Sequence, residues 1–193
     1  MADDPRTGKA AARALPFLEQ GEQLRCAAEF HVAPGVPEPP FWMVREVYPQ
    51  LAPATKAGTV MAAGGYAQDV LVGNVIGRGL HGRGMAGGWR STAGRLRIHV
   101  VANAGDLVVT DRRVLVLQPR LALKGLKPTD EMVPCWETER AEITGVRPRP
   151  KGVLQRGRLD VHFRDGSWIG LVMRSPAHRE PMAAALGGGE GEA

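Results

Sequence analysis

The clearest alternation of apolar and polar positions in the chain places Leu159, Val161 and Phe163 between Asp160, His162 and Arg164. A second run, Ile169, Leu171 and Met173, follows Asp165-Gly166. A period of two puts the apolar set on one face of a strand and the polar set on the other, here Asp160 and His162 toward solvent. Asp-Gly between two such runs signals a two-residue type I′ hairpin, because both central residues of that turn need positive φ. This segment is read as two adjacent antiparallel strands.

Upstream, LRIHVVANAGDLVVTDRRVLVLQ carries three β-rich runs, with turn chemistry at Asn103 to Asp106 and at Asp111 to Arg113, and reads as a meander. EMVPCWETE adds a strand with Val133 and Cys135 on one face and Trp136 and Thr138 on the other. Residues 141–147 add another, centred on Ile143 and Val146. A first strand is predicted over residues 22–32 and is ended by Pro34, Pro37, Pro39 and Pro40. A C-terminal helix over 176–186 follows Ser175 as N-cap, with Pro176 at its first position and Gly187 as its stop.

The rest of the pattern is weaker. Residues 1–14 read as a flexible arm with at most a helical turn near its end, 15–32 as the first-strand region, and 188–193 as a flexible tail. Residues 33–94 open on the prolines and continue into a tract rich in glycine, which raises the entropy cost of ordering it. They read as a Pro/Gly-rich insertion that moves relative to a β domain at 95–187. Within the insertion, Val60, Gly64, Ala67, Leu71 and Val75 recur at helical spacing and suggest a short amphipathic helix.

Composition narrows the function classes. The 193 residues include 25 Gly and 15 Pro but only 4 Trp, 2 Tyr and 4 Phe, so a dense core must come from a subset of the chain. A net charge of +5 favours anionic partners, although an excess of Arg over Lys with abundant Ala, Gly and Pro also follows from a GC-rich genome without selection for binding. Cys26 and Cys135 have neither metal-ligand spacing nor the density of a disulfide scaffold, and they suit a reducing compartment. The first 22 residues carry two early acids and no apolar run of seven, unlike a signal peptide. Gln68, Asp69 and Asn74 interrupt the apolar stretches too often for a membrane span. A cytoplasmic protein, peripheral at the membrane if it binds lipid, is expected.

The order LVVTDRRVLVLQ, AEITGVRPRP, GRLDVHFRDGSWIGL and a short helix at PAHREPMAAAL resembles the bacterial PH-like domains, a group similar to GRAM and YokE-type modules. In that group a strand ending in Thr-Asp or Thr-Asn precedes an Arg and an apolar strand. The resemblance covers about residues 95–187 and, more loosely, the first strand. It implies a mainly β fold: a strongly bent antiparallel sheet or partial barrel capped by the C-terminal helix. It also implies a binding or assembly module rather than an enzyme, with lipid headgroups, proteins or further copies of the same chain as partners.

Candidate sites follow from charge. Arg147, Arg149, Lys151, Arg156 and Arg158 fall within twelve residues free of acids, around Val153-Leu154, and could meet an anionic lipid surface from an exposed loop; a Pro-stiffened surface loop with no ligand fits the same residues. The alternative class is nucleic acid, through Arg78, Arg83, Arg90, Arg95 and Arg97 with Trp89 in a flexible Gly/Arg tract, although aromatic interleaving is sparse. Two overlapping dinucleotide-type fingerprints, at 77–82 and 82–87, occur in a glycine-rich tract with no good helix former after them, so no nucleotide cofactor is expected. His31, His81, His99 and His178 show no metal spacing, and Asp160 with His162 reads as a solvated strand face rather than an acid/base pair.

Overall fold

The structure is a computed structural model that describes residues 5–48, 83–100, 103–121, 128–150 and 155–187. Two three-stranded meanders are joined through one central strand. The first meander comprises β3 (Ala104–Thr110), β4 (Arg113–Leu121) and β5 (Pro128–Glu139); the second comprises β6 (Ile143–Pro148), β7 (Arg158–Phe163) and β8 (Trp168–Met173). The central strand, β1 (Leu24–Val32), pairs antiparallel with β3 on one side and β8 on the other. The resulting order is β5-β4-β3-β1-β8-β7-β6, an open path ending at β5 and β6.

The C-terminal helix α4 (Arg179–Gly187) packs on β6, β7, β1 and β3, strands from both meanders. One short helix reaches all four because the sheet bends around it. Met182 and Leu186 enter the core formed by Phe30, Leu107, Val109, Val116, Trp136, Leu159, Val161, Phe163, Ile169, Leu171 and Met173. The architecture is a mainly antiparallel β-sheet capped by a C-terminal helix, consistent with a PH-like sheet. Ser175 stands at the predicted cap position, but its side chain makes no capping bond and the first turn, Pro176–His178, is a 3-10 helix.

Four local features differ from the sequence reading. The N-terminal arm is helical: α1 (Pro5–Ala14) lies on the other side of β1 and β3, burying Ala10 and Ala14 against Ala27, Val108, Leu115 and Leu117. Arg13 anchors it with a fork on buried Asp106, at 2.6 and 2.7 Å, and a third bond to Glu29. LRIH, the head of the run read as the first strand of the meander, is helix rather than strand. It belongs to α3 (Thr92–His99), whose Thr92, Ala93 and Gly94 N–H groups donate to Asp165, Ser167 and Ser91 respectively.

The third difference is the β7–β8 turn. Gly166 N–H bonds the Phe163 carbonyl, Phe163 N–H bonds the Ser167 carbonyl, and only Gly166 (φ 78°) has positive φ within the turn. That is a three-residue loop with glycine in the left-handed position, not type I′. Asp165 is thereby free to cap α3. Gly166→Val forces a β-branched residue into that conformation, costing about 1–2 kcal/mol. Its thermal midpoint should fall by several degrees; an unchanged midpoint would show that the turn bears no strain.

The fourth concerns β5, where the pairing with β4 skips Cys135, leaving a bulge between Pro134 and Trp136. Trp136 enters the core and Cys135 also packs against it, so the two do not simply alternate. A second bulge, between Ile143 and Gly145, lets Ile143 and Val146 both face the core although they are three residues apart.

The two ends of the long excursion after β1 meet. Ala33 N–H bonds the Gly170 carbonyl, Gly170 N–H bonds the Gly84 carbonyl, and Gly84 N–H bonds the Gly35 carbonyl. Strand β2 (Met85–Ala86) then pairs with the first residues of β8 and continues the line of β1. A side chain on Gly84 would overlap the Val36 backbone, so glycine lets the two ends touch. Beyond this neck, α2 (Phe41–Val47) packs against α3. The helix suggested over 60–76 lies outside the described residues.

Candidate functional site

The β6–β7 hairpin sets Arg147 opposite Asp160 and Gly145 opposite His162, and Arg149 N–H bonds the Arg158 carbonyl. Antiparallel alternation sends Leu159, Val161 and Phe163 to the core and gathers the charged residues on the outer face. Arg147, Arg149 and Arg156 are exposed there. Arg147 makes no side-chain ion pair or hydrogen bond among the described residues. Arg149 approaches Asp160 only at 3.8 Å. Arg156 lies on the turn before β7, and its carbonyl accepts from Arg179, a fourth cation that binds Glu180. Lys151, with Val153 and Leu154, falls outside the described residues.

Arg158 is the exception in the set. It is not on a loop: it opens β7, only 1% exposed, and binds Asp160 at 2.8 Å, Gln155 Oε1 at 2.9 Å and the Arg83 carbonyl at 3.3 Å. Asp160, expected toward solvent, is 3% exposed because the Gln155 turn and the returning end of the excursion cover it. Gly170, opposite Asp160 on β8, leaves room for this pair; a side chain there would crowd the Arg158 guanidinium and the Asp160 carboxylate. The sequence signal was the opposite charge two residues apart on one strand face.

His162 stacks on Trp168, with ring centroids 6.0 Å apart. Burial and the charges of Arg147 and Arg149 hold its pKa below the ordinary value, against the pull of Asp160. It adds a ring beside the exposed Arg147 and Arg149 guanidinium groups, which suits an anion. The sequence placed His162 beside Asp160 on a solvated strand face and gave no signal for its stacking on Trp168, and Arg179 was not singled out at all.

The alternative set is dispersed. Arg78 lies outside the described residues, and Arg83, Arg90 and Arg95 are exposed on the neck, a turn and α3. Arg97 is buried and bonds the Pro37 carbonyl, the Val100 carbonyl and Glu38 at 2.8 Å. Arg97 and Arg158 therefore hold the outgoing and returning ends of the excursion. The described part of the tract, 83–97, is a neck, a short strand and a helix. The described part of the second fingerprint runs into β2, which is antiparallel to β8 and lies before the turn that leads into α3, so its glycines do not form the loop between a parallel strand and a helix N-terminus that holds a pyrophosphate.

Cys26 and Cys135 are half-buried free thiols; burial raises both, Cys135 to about 12, so they stay protonated at neutral pH. Among the described residues no cluster of three or more His, Cys, Asp or Glu could hold a metal. No described helix is long and apolar enough to cross a membrane.

The fold is an open antiparallel sheet capped by a C-terminal helix, consistent with a PH-like sheet, and its β6–β7 end is basic. No family model matches the chain, and no curated protein matches it. Among solved structures, the crystal structure of N-terminally truncated linker-DH/PH domains of p115-RhoGEF is similar over 43% of this chain, with 14% identity and a TM-score of 0.31. The match covers 22% of that longer chain.

Proposed function

We propose that this chain is a non-catalytic PH-like binding module that docks on an anionic phospholipid surface through the exposed end of the β6–β7 hairpin. The observation that carries the reading is the distribution of charge there. Arg147, Arg149 and Arg156 are exposed, while Asp160, the acid that Arg149 approaches, is buried and already bound by Arg158. The outward face is left with a cationic excess, to which Lys151 adds one more charge in the intervening sequence. Lipid docking places the protein peripherally at the cytoplasmic leaflet, where anionic headgroups lie.

Each basic side chain near such a surface contributes about 1 kcal/mol. Replacing Arg147, Arg149 and Arg156 together with Gln should weaken binding to phosphatidylserine-containing vesicles by about 100-fold. Co-sedimentation at physiological salt measures this, with phosphatidylcholine vesicles as the control. Arg158 is left unchanged because its loss disturbs the fold. Equal binding by the variant, or equal binding to neutral vesicles, would rule out this face, and the search would turn to an acidic protein partner or self-association.

A further inference from the structure

A second surface, away from the β6–β7 hairpin, is built differently. Strand β5 ends the path of the sheet and pairs only with β4 among the described residues. Beside it lies a cleft of about 480 Å³, walled by Thr92, Arg95 and His99 of α3 and by the five consecutive residues from Pro134 to Thr138 of β5. Past the Cys135 bulge, Trp136, Glu137 and Thr138 are consecutive strand residues that point to alternate faces, so all three can line one cleft only if it runs along the edge. Positions 92, 95 and 99 share one helix face. The cleft is thus a slot between a free strand edge and a helix, and five residues make it about 17 Å long.

We propose that this slot accepts an extended peptide that adds to β5 as a further strand and places a carboxylate side chain against Arg95. An unpaired strand edge offers donors and acceptors in a repeat that another backbone matches. Charge decides the side chain. Arg95 is exposed and its side chain forms no ion pair or hydrogen bond among the described residues, whereas Glu137, the acid of the cleft, is engaged by Arg113 at 2.9 Å. His99 already faces the Cys135 backbone. Burial holds it below the ordinary value, as does Arg95, against a hydrogen bond with the Cys135 backbone.

The same residues close one end of the slot. The bulged Cys135 meets His99, and Tyr48 packs edge-on to His99 while donating to the His99 carbonyl at 2.8 Å. Pro134 has no N–H to offer, so the pairing edge extends from Trp136 toward Glu139. This inference does not depend on the headgroup reading, since it uses neither Arg147 nor Arg149.

The test is a nuclear magnetic resonance titration of the full chain with acetyl-Val-Thr-Glu-Val-Thr-amide. Two control peptides carry Lys in place of Glu, or N-methyl groups on alternate backbone nitrogens. The Glu peptide should shift the amides of Trp136, Glu137, Thr138 and Arg95 and slow their hydrogen exchange. Arg95→Gln should weaken it about tenfold or more, with the far-UV circular dichroism spectrum unchanged, because the binding loses one charge-assisted bond. The hairpin triple variant should bind the peptide as the wild type does. The proposal fails if millimolar Glu peptide shifts none of these amides, if the Lys peptide binds as well, if the N-methylated peptide binds as well, or if the shifts gather around Arg147.

Discussion

Asp160→Ala should lower the unfolding free energy by about 3–5 kcal/mol, because it leaves the Arg158 guanidinium buried without its counter-charge. Arg158 is 1% exposed and Asp160 3%, so water cannot replace the lost partner without opening the structure. The damage spreads beyond the sheet. The same guanidinium holds the Gln155 side chain and the Arg83 carbonyl, and Arg83 precedes the glycine at which the excursion closes on itself. Denaturant unfolding measures the loss, and proteolysis should show earlier cleavage near Arg83. Replacing both members with apolar residues, Arg158→Met with Asp160→Leu, removes the unpaired charge and should recover part of the stability. A loss below about 1 kcal/mol for Asp160→Ala would show that the pair is solvated in solution.

These residues also show what the sequence could and could not disclose. The alternation through Leu159, Val161 and Phe163 located β7 because one face of that strand meets the core. It misplaced Asp160 because the opposite face is covered too, by a chain segment that returns from far away. Helix α3 was read as strand for a related reason. Thr92, Ala93, Gly94, Leu96, Arg97 and Ile98 are all buried, so no polar face marks a helical period, and two of its three N-terminal N–H partners lie on the β7–β8 turn. Bulges at Cys135 and before Gly145 broke the period of two where strands bend, and pattern alone cannot foresee them. Arg147, Arg149 and Arg156 were legible as a charge cluster without acids. Arg97 and Arg158 joined such clusters only because arginine is by default exposed.

Lowering the pH from 4.5 to 2 should remove about 3 kcal/mol of stability through Glu22 alone. The Thr110-Asp111-Arg112-Arg113 segment, on which the family resemblance leaned, forms a lock around this carboxylate. Arg113 binds Glu22 with Nε at 2.9 Å and Nη2 at 3.0 Å, while the Thr110 hydroxyl donates to it at 2.7 Å. The hydrogen bonds from Arg113 dominate and bring the Glu22 pKa from 4.5 to about 2, with burial opposing them. A carboxylate lowered in the folded state stabilises the fold fully above its unfolded value and loses that contribution as pH falls through the folded one. The window therefore lies between about 4.5 and 2, and a shift of that size corresponds to about 3 kcal/mol. Asp165 is also lowered, to about 2, since bonds from Ser167 and Thr92 outweigh its burial, so the wild-type curve alone contains more than one acid. Glu22→Gln isolates the first. At pH 7 the variant should be the less stable by about 3 kcal/mol, and the two curves should close most of that gap by pH 2, where Glu22 is about half protonated in the folded wild type, and converge below it. Parallel curves across that range would mean that the Arg113 fork contributes no charge-dependent stability and that the Thr110 to Arg113 turn is held by packing alone.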